Sequence, residues 1–413
     1  MPALTHIEAA ASAVIGRKHR LSFVPVGRSL QAYKKMKSKD GAARSRILVI
    51  GSAGGVGREV CAEIVRQCGP RSLVLGDYRL ERAIAQAQEY PGGAESRRID
   101  VRDPESIRDG VAPDLTAVII CLQQERPEVQ LACLGHGIPS LDLSIKQSFI
   151  DRVHALGSRA TEACTPVLTM AGLWPGLSGL MAVRASEMLD RVDAIDLSLC
   201  QSTRARVAPL GISDMMVSFS KPVTFREGSR VRKVPGVSVT RDFDYPEPFG
   251  VRRHRLVDFA EGQVLSDALG VPEVHLWTGF DSMAFDRLMS VLRRLGILAL
   301  FRRKGFGLQL GRTVNALKEL SPARPEPIAM VAVARGRCAR RYVQTQVSLL
   351  GPSDYGVTAM SAVAFTRLLA ARGREVAGVS HPLRLLQLRE VIEQINHPDL
   401  KILESESTIM ESI

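Results

Sequence analysis

The sequence predicts an α/β protein built on a doubly wound parallel sheet, with a second α+β domain attached, and three observations carry that prediction. The apolar run Ile47-Leu48-Val49-Ile50 ends in Gly51-Ser52-Ala53-Gly54-Gly55-Val56-Gly57 and passes into a helical pattern in which Val56, Val60 and Ile64 recur. A second run, Ser72-Leu73-Val74-Leu75-Gly76-Asp77, closes on a carboxylate where a ribose-binding acid of a dinucleotide fold is expected. Strand and helix patterns then alternate up to Leu143, which implies parallel βα units with ligand at the carboxyl ends of the strands.

In chain order, the first strand and its glycines read as a strand, turn and helix of the Rossmann type. Gly51 permits the tight exit, Gly54 the close approach of a pyrophosphate and Gly57 the packing of helix on sheet. The spacing is G-x-x-G-x-x-G, with Ala53 where a second glycine usually stands. Asp77 would accept from both ribose hydroxyls, which favours NAD(H); Arg79 and Arg82 just beyond would suit the 2′-phosphate of NADP(H). The competing reading of Asp77 is a cap for the helix that follows.

Next come Arg97-Arg98-Ile99-Asp100-Val101 as a strand end near the adenine, a helix over 104–110, and the uncharged run Thr116-Ala117-Val118-Ile119-Ile120-Cys121-Leu122, typical of a strand covered on both faces. A helix around 129–136 leads to Ser140-Leu141-Asp142-Leu143. The expected cofactor contacts are therefore Gly51, Ala53, Gly54, Gly55, Val56, Gly57, Asp77, Tyr78, Arg79, Asp100, Val101, Cys121, Leu122 and, from the loop further on, Gly172.

The stretch 163–183 has no charged residue and is long enough to span a bilayer, yet Pro166, Gly172, Pro175, Gly176 and Gly179 interrupt it. A short buried strand, a turn and a helix start are expected, with Pro175 near the first helical position. The middle of the chain reads as α+β. Residues 192–199 alternate as a strand, 329–334 and 343–347 form an antiparallel pair, and 285–295 is an amphipathic helix. Ile297-Leu298-Ala299-Leu300-Phe301 lies between Arg293-Arg294 and Arg302-Arg303-Lys304. That arrangement suits peripheral contact with an anionic membrane, although a core-packing or dimer-facing helix is the commoner outcome.

Composition agrees with an enzyme-sized globular chain. Of 413 residues 45% are hydrophobic, which excludes a disordered chain. We divide it into a basic, flexible extension (1–45), a dinucleotide-binding domain (46–170), an α+β substrate and dimerisation domain (171–350) and a segment returning to the first domain with a polar tail (351–413). The formal charge is +12, but residues 1–46 hold ten Lys/Arg against Glu8 and Asp40. With aromatics at only 5%, nucleic-acid binding is not expected. Seven cysteines without Cys-x-x-Cys spacing give neither a disulfide framework nor a metal site. We expect a reduced, cytoplasmic setting, a small-molecule substrate and a homodimer.

From Gly51 onward the order of motifs resembles the saccharopine dehydrogenase-like family of NAD(P) oxidoreductases. The matching pieces are the glycine turn, Val118-Ile119-Ile120-Cys121-Leu122, Ala132-Cys133 with residues 137–144, Ala171-Gly172-Leu173-Trp174-Pro175-Gly176-Leu177-Ser178, and residues 356–360 through 378–382. The resemblance implies that Trp174, Pro175 and Gly176 border the nicotinamide and the substrate, and that hydride moves to or from a C=N bond of an amino-acid or polyamine-like substrate. Ser178-Gly179 and Pro382-Leu383 depart from residues common in the family, so substrate identity does not carry over.

Near the expected site the titratable groups are His136, Cys121, Asp142 and Lys146. Asp142, at the ligand end of its strand, and Lys146 are the candidate catalytic pair, against a capping Asp142 and a solvated Lys146 as the competing readings. Arg204, Arg206, Arg241, Arg252 and Arg253 are candidates for substrate carboxylates. Two other functions fit the same residues: reduction of a C=C or C=O bond in a lipid or secondary metabolite, and a dinucleotide-binding sensor or scaffold without turnover.

Overall fold

The computed structural model describes residues 22–23, 45–205, 207–228, 230–302, 305–319 and 325–408. Its first sheet is a seven-stranded parallel sheet. The strands are β2 (Ile47–Ile50), β3 (Leu73–Asp77), β4 (Glu95–Arg98), β5 (Ala117–Ile120), β6 (Ser140–Asp142), β7 (Pro166–Leu168) and β16 (Gly378–Ser380), in the order β16-β7-β6-β5-β2-β3-β4. Every residue of β2, β3 and β5 is buried, as uncharged aliphatic strands between two helical layers must be. The strand order reverses between β2 and β5, which places the ligand crevice above Ile50 and Ile120. The fourth strand spans Glu95–Arg98, two residues earlier than the pattern suggests, and leaves Asp100 and Val101 in the following turn.

Helices α1 (Gly55–Cys68), α2 (Leu80–Ala87), α3 (Pro104–Gly110), α4 (Glu128–His136), α5 (Gln147–His154) and α6 (Gly157–Glu162) connect these strands. On one face Val60 and Ile64 of α1 pack with Val49, Leu75 and Ile119, and on the other Ile107 and Val129 pack with Leu48, Val74 and Val118. The stretch at 163–183 resolves into β7, a turn and helix α7 (Leu177–Ser186). Among the described residues no helix is long and apolar enough to cross a membrane.

The second domain is an eight-stranded sheet in the order β1-β17-β15-β14-β8-β13-β12-β11. Its strands are β8 (Arg191–Gln201), β11 (Thr240–Tyr245), β12 (Gly250–Val257), β13 (Glu273–Phe280), β14 (Ile328–Cys338), β15 (Arg341–Gly351), β17 (Lys401–Thr408) and β1 (Ser22–Phe23). β14 and β15 form the expected antiparallel hairpin, while β13 and β8 run parallel. β1, the one described piece of the basic extension before residue 45, pairs with Leu403 and Glu404 of β17; other residues of that extension lie outside the described ones. A two-stranded ribbon, β9 (Val223–Glu227) with β10 (Arg230–Val234), adds Phe225 to a core that holds Phe243 and Trp277.

Helices α8 (Pro209–Ser220), α9 (Ala260–Leu269), α10 (Met283–Arg294) and α11 (Phe306–Glu319) complete this half. The chain then returns through α12 (Asp354–Arg372), β16, α13 (Pro382–Leu385) and α14 (Leu388–Ile395). α12 joins the domains: Ala359, Ala362 and Val363 pack with β2, β5 and α1, whereas Val357, Met360 and Phe365 belong to the core shared by α7 and the second sheet. Its small residues let both layers approach closely.

Candidate active site

The glycine turn is held from below by Gly51 N and Ser52 N, which donate to Gly76 O at 2.8 and 3.1 Å. Helix α1 opens at Gly55 with Gly54 as its cap, and no side chain accepts from its first N–H groups. Those donors and the positive end of the dipole fit a pyrophosphate. A Cβ at Gly57 would lie 2.1 Å from Gly51 O, so only glycine allows the helix to start so near the strand. Ala53 is buried and Val56 half-buried in the same turn.

Asp77 closes β3 and is 4% exposed. Its Oδ1 accepts from Arg79 N at 3.0 Å and stands 3.7 Å from the Arg82 guanidinium, which also donates to Ala53 O at 2.9 Å. The cap-like turn and the place for a ribose acid therefore coexist in one residue. Tyr78 is exposed, with Arg79 at 5.2 Å and Arg102 at 5.8 Å from its ring centroid. The Arg102 hydrogen bond holds the Asp100 carboxyl down to about 2, and Val101 is half-buried in that turn. Beyond β5, Cys121 N donates to Ile50 O at 2.9 Å, burial pushes its thiol well up, and Leu122 packs on Gly51.

The Gly172 turn crosses into the second domain. Gly172 N donates to Pro175 O and Leu177 N to Gly172 O, both at 2.9 Å. Gly176 has φ +130°, and a Cβ there would meet Gly172 O at 2.4 Å, which fixes glycine at this point. The cap of α7 is Gly176, so Pro175 precedes the helix instead of opening it. Glu261 of α9 reaches across to this end: its Oε1 accepts from Gly176 N at 3.0 Å and from Ser178 Oγ at 2.6 Å. Burial raises the Glu261 carboxyl to about 7.

Asp142 and Lys146 share a strand end but do not form a pair. Asp142 is 1% exposed; Oδ2 accepts from Gln124 Nε2 at 3.0 Å and Gln130 Nε2 at 2.8 Å, and Oδ1 from Ser144 N at 2.7 Å. Burial pushes its carboxyl up to about 6 against those donors. Lys146 is exposed as the residue before α5, and among the described residues no ion pair joins the two. This arrangement orients the β5 and β6 loops and leaves Asp142 without an oxygen free of donors.

A cavity of about 570 Å³ lies beside the Gly172 turn, between α8, α10, α11 and the β8 and β13 strand ends. Trp174 is in its wall, together with Asp354 and Tyr355 at the start of α12. Gln201 Nε2 donates to Asp354 Oδ2 at 3.2 Å, and Ala208 N donates to the Tyr355 hydroxyl at 3.1 Å. Burial raises both groups above their ordinary values. The Tyr355 ring also closes on the glycine turn, since a Cβ at Gly55 would fall 2.7 Å from it. The cavity and the glycine turn thus share one side chain.

None of the described arginines proposed for substrate carboxylates lines the cavity. Arg241 pairs with Asp196 at 2.5 Å and Arg253 with Asp242 at 2.8 Å, Arg204 is exposed, Arg252 is half-buried outside the cavity wall, and Arg206 is outside the described residues. Asp354, Tyr355, Gln201 and Glu261 escaped the sequence reading. One signal was present for two of them: Ser353-Asp354-Tyr355-Gly356 is a helix start, with Ser353 Oγ accepting from Gly356 N at 2.9 Å. A second depression of about 520 Å³, between α7, α14 and β17, includes no residue of the glycine turn or of α12. Among the described residues no cluster of His, Cys, Asp or Glu could hold a metal.

No protein-family model and no curated protein sequence matches this chain. Two solved structures share its architecture. Saccharopine dehydrogenase (L-Glu forming) from Saccharomyces cerevisiae superposes with a TM-score of 0.62 at 14% identity, covering 89% of this chain and 100% of that one. Homospermidine synthase from Legionella pneumophila, in complex with NAD, gives 0.58 at 11% identity, with 88% and 91% covered. The chain therefore has the saccharopine dehydrogenase-like fold, a Rossmann-type parallel sheet joined to a second, mixed-sheet domain by a helix that returns from the end of the chain.

Proposed function

We propose that this protein is an NAD(P)-dependent oxidoreductase that moves a hydride between the dinucleotide and a small-molecule substrate held in the cavity. The observation that carries this reading is Tyr355, whose ring packs on the glycine turn while the same residue lines the cavity. When bound, the dinucleotide supplies the hydride chemistry at its nicotinamide. The chain's own residues would do the rest. The α1 N-terminus would hold the pyrophosphate and Asp77 the ribose, with NAD(H) favoured and the arginines at 79, 82 and 102 moderating that preference. The Gly172 turn, with Trp174, Pro175 and Gly176, would set the nicotinamide against the substrate and exclude water. Asp354, raised by burial and held by Gln201, together with the Tyr355 hydroxyl, would keep a proton at the reacting atom. Asp142 is better suited to position its loops than to act as the acid.

A reducible C=N bond is what the resemblance implies. The apolar cavity wall favours a second reading, reduction of a C=O or C=C bond in a lipid or secondary metabolite. Dinucleotide titration followed by single-turnover reduction of imine, ketone and enoyl substrates tests both. Hydride transfer to any of these, diminished at least tenfold by Asp354→Asn or Tyr355→Phe, supports the proposal. Dinucleotide binding with no transfer to any of them would leave the sensor reading standing instead.

A further inference from the structure

We infer that the cavity takes the hydrocarbon part of an amphipathic, lipid-like substrate, whose polar, reducible group rests against Asp354 and Tyr355. This rests on the oxidoreductase reading above and adds a substrate class to it. The lining combines one polar cluster with a mainly apolar remainder. Gln201 and Asp354 are hydrogen-bonded and Tyr355, the next residue, packs on the glycine turn, whereas much of the rest of the lining is apolar, with Phe219, Met289 and Phe301 among it. Among the described lining residues there is no Lys, Arg or His. A substrate carboxylate inserted there would lose its hydration without gaining a cationic partner among the described residues. Asp214 also lines the cavity, but it already accepts from Gln123 Nε2, in the loop after β5, at 3.0 Å and is raised by burial, so it is poorly placed to receive an ammonium.

The rim tells the same story. Leu288 and Leu310 line the cavity and are also 49% and 37% exposed. Val291 of α10 and Leu295, which caps its C-terminal end, add exposed apolar surface at 49% and 67% exposure. An opening edged by exposed leucines discriminates against a strongly hydrated molecule and favours an alkyl chain that covers them on entry. The volume of about 570 Å³ is that of a ligand-sized site. A free amino acid would leave most of it unfilled.

The test uses the full chain and reads occupancy from the fluorescence of Trp174, which lines the cavity, with straight-chain methyl ketones of increasing length as probes. Burial of each methylene is expected to tighten binding about fourfold until the cavity is full, after which the series levels off. A linear diamine of equal length should bind at least tenfold more weakly than the ketone. Met215→Trp, which fills the cavity from α8, should move the plateau to shorter chains, and Leu288→Ser at the rim should weaken long chains more than short ones. Affinity independent of chain length, or a preference for the diamine, overturns the inference. Dinucleotide affinity, measured in parallel, keeps the two proposals apart. If the dinucleotide binds and the ladder is absent, only the substrate class fails; if the ladder holds and no dinucleotide binds, the oxidoreductase reading fails.

Discussion

The glycine turn and the cavity are built by opposite rules. The turn is largely a local object: seven consecutive residues make the strand exit, the helix start and the anion site, and Gly54 and Gly57 answer to Gly51 O within that stretch, while Gly51 meets Leu122 and Gly55 meets Tyr355. The cavity is assembled from α8, α10, α11, two strand ends and the beginning of α12, with lining residues spread from Ile145 to Tyr355. Cofactor recognition is thus constrained by backbone geometry, which tolerates little change. Substrate recognition is constrained by side-chain volume and polarity, which can be altered one residue at a time without disturbing the sheet beneath.

The sharpest way to separate the two is Gly57→Val. Its Cβ would press on Gly51 O, so dinucleotide affinity should fall about a hundredfold while chain-length-dependent quenching of Trp174 persists. Loss of both would mean that the regions are not independent. Asp142→Ala should instead damage the scaffold under both. It strands three donors, from Gln124, Gln130 and Ser144, and should lower stability by about 3 kcal/mol in denaturant unfolding. A normally stable variant without turnover would restore Asp142 as a catalytic residue.

Glu261 tests the seam between the regions through pH. In the unfolded chain its carboxyl titrates near the ordinary 4.5, but in the fold burial raises it to about 7. Between those values the folded state binds the extra proton, so this group's contribution to stability declines as pH rises through that window and is flat above it. The wild type should lose about 3 kcal/mol of this contribution, and the loss should disappear in Glu261→Gln when melting is followed from pH 4 to 8. The smallest effect belongs to the edge of the cofactor cleft. Asp77→Ala should weaken NAD(H) about tenfold and leave NADP(H) nearly unchanged, as read by titration; equal losses would remove Asp77 from cofactor discrimination.

The same contrast explains what was legible in the sequence. The parallel sheet, the glycine turn, Asp77 and the break at Gly172 are written in runs short enough to be read directly, because period and turn chemistry are local. The placement of Asp142 at a strand end was legible too, but not the three donors that enclose it, two of which come from α4 and the β5 loop. Tyr355 gives no local sign that it will touch Gly55, three hundred positions earlier, and Glu261 none that it will cap a helix in front of Ser178. Pro175 differs for a related reason: expected near the first helical position, it lies in the turn before the helix, because Gly172 N donates to Pro175 O and Leu177 N to Gly172 O.

The return of the chain has a consequence for biosynthesis. The parallel sheet begins at Ile47, yet its outermost strand is Gly378–Ser380 and one of the helices covering it is Asp354–Arg372. A ribosome making this protein releases β2 to β7 long before the helix that must cover them exists. For the time it takes to add some two hundred residues, at about 5–20 per second, Val49, Ile119 and their neighbours are covered on that face by α1 without α12. The nascent first half should therefore be a substrate for chaperones, and it should become resistant to protease only once synthesis has passed Ser380.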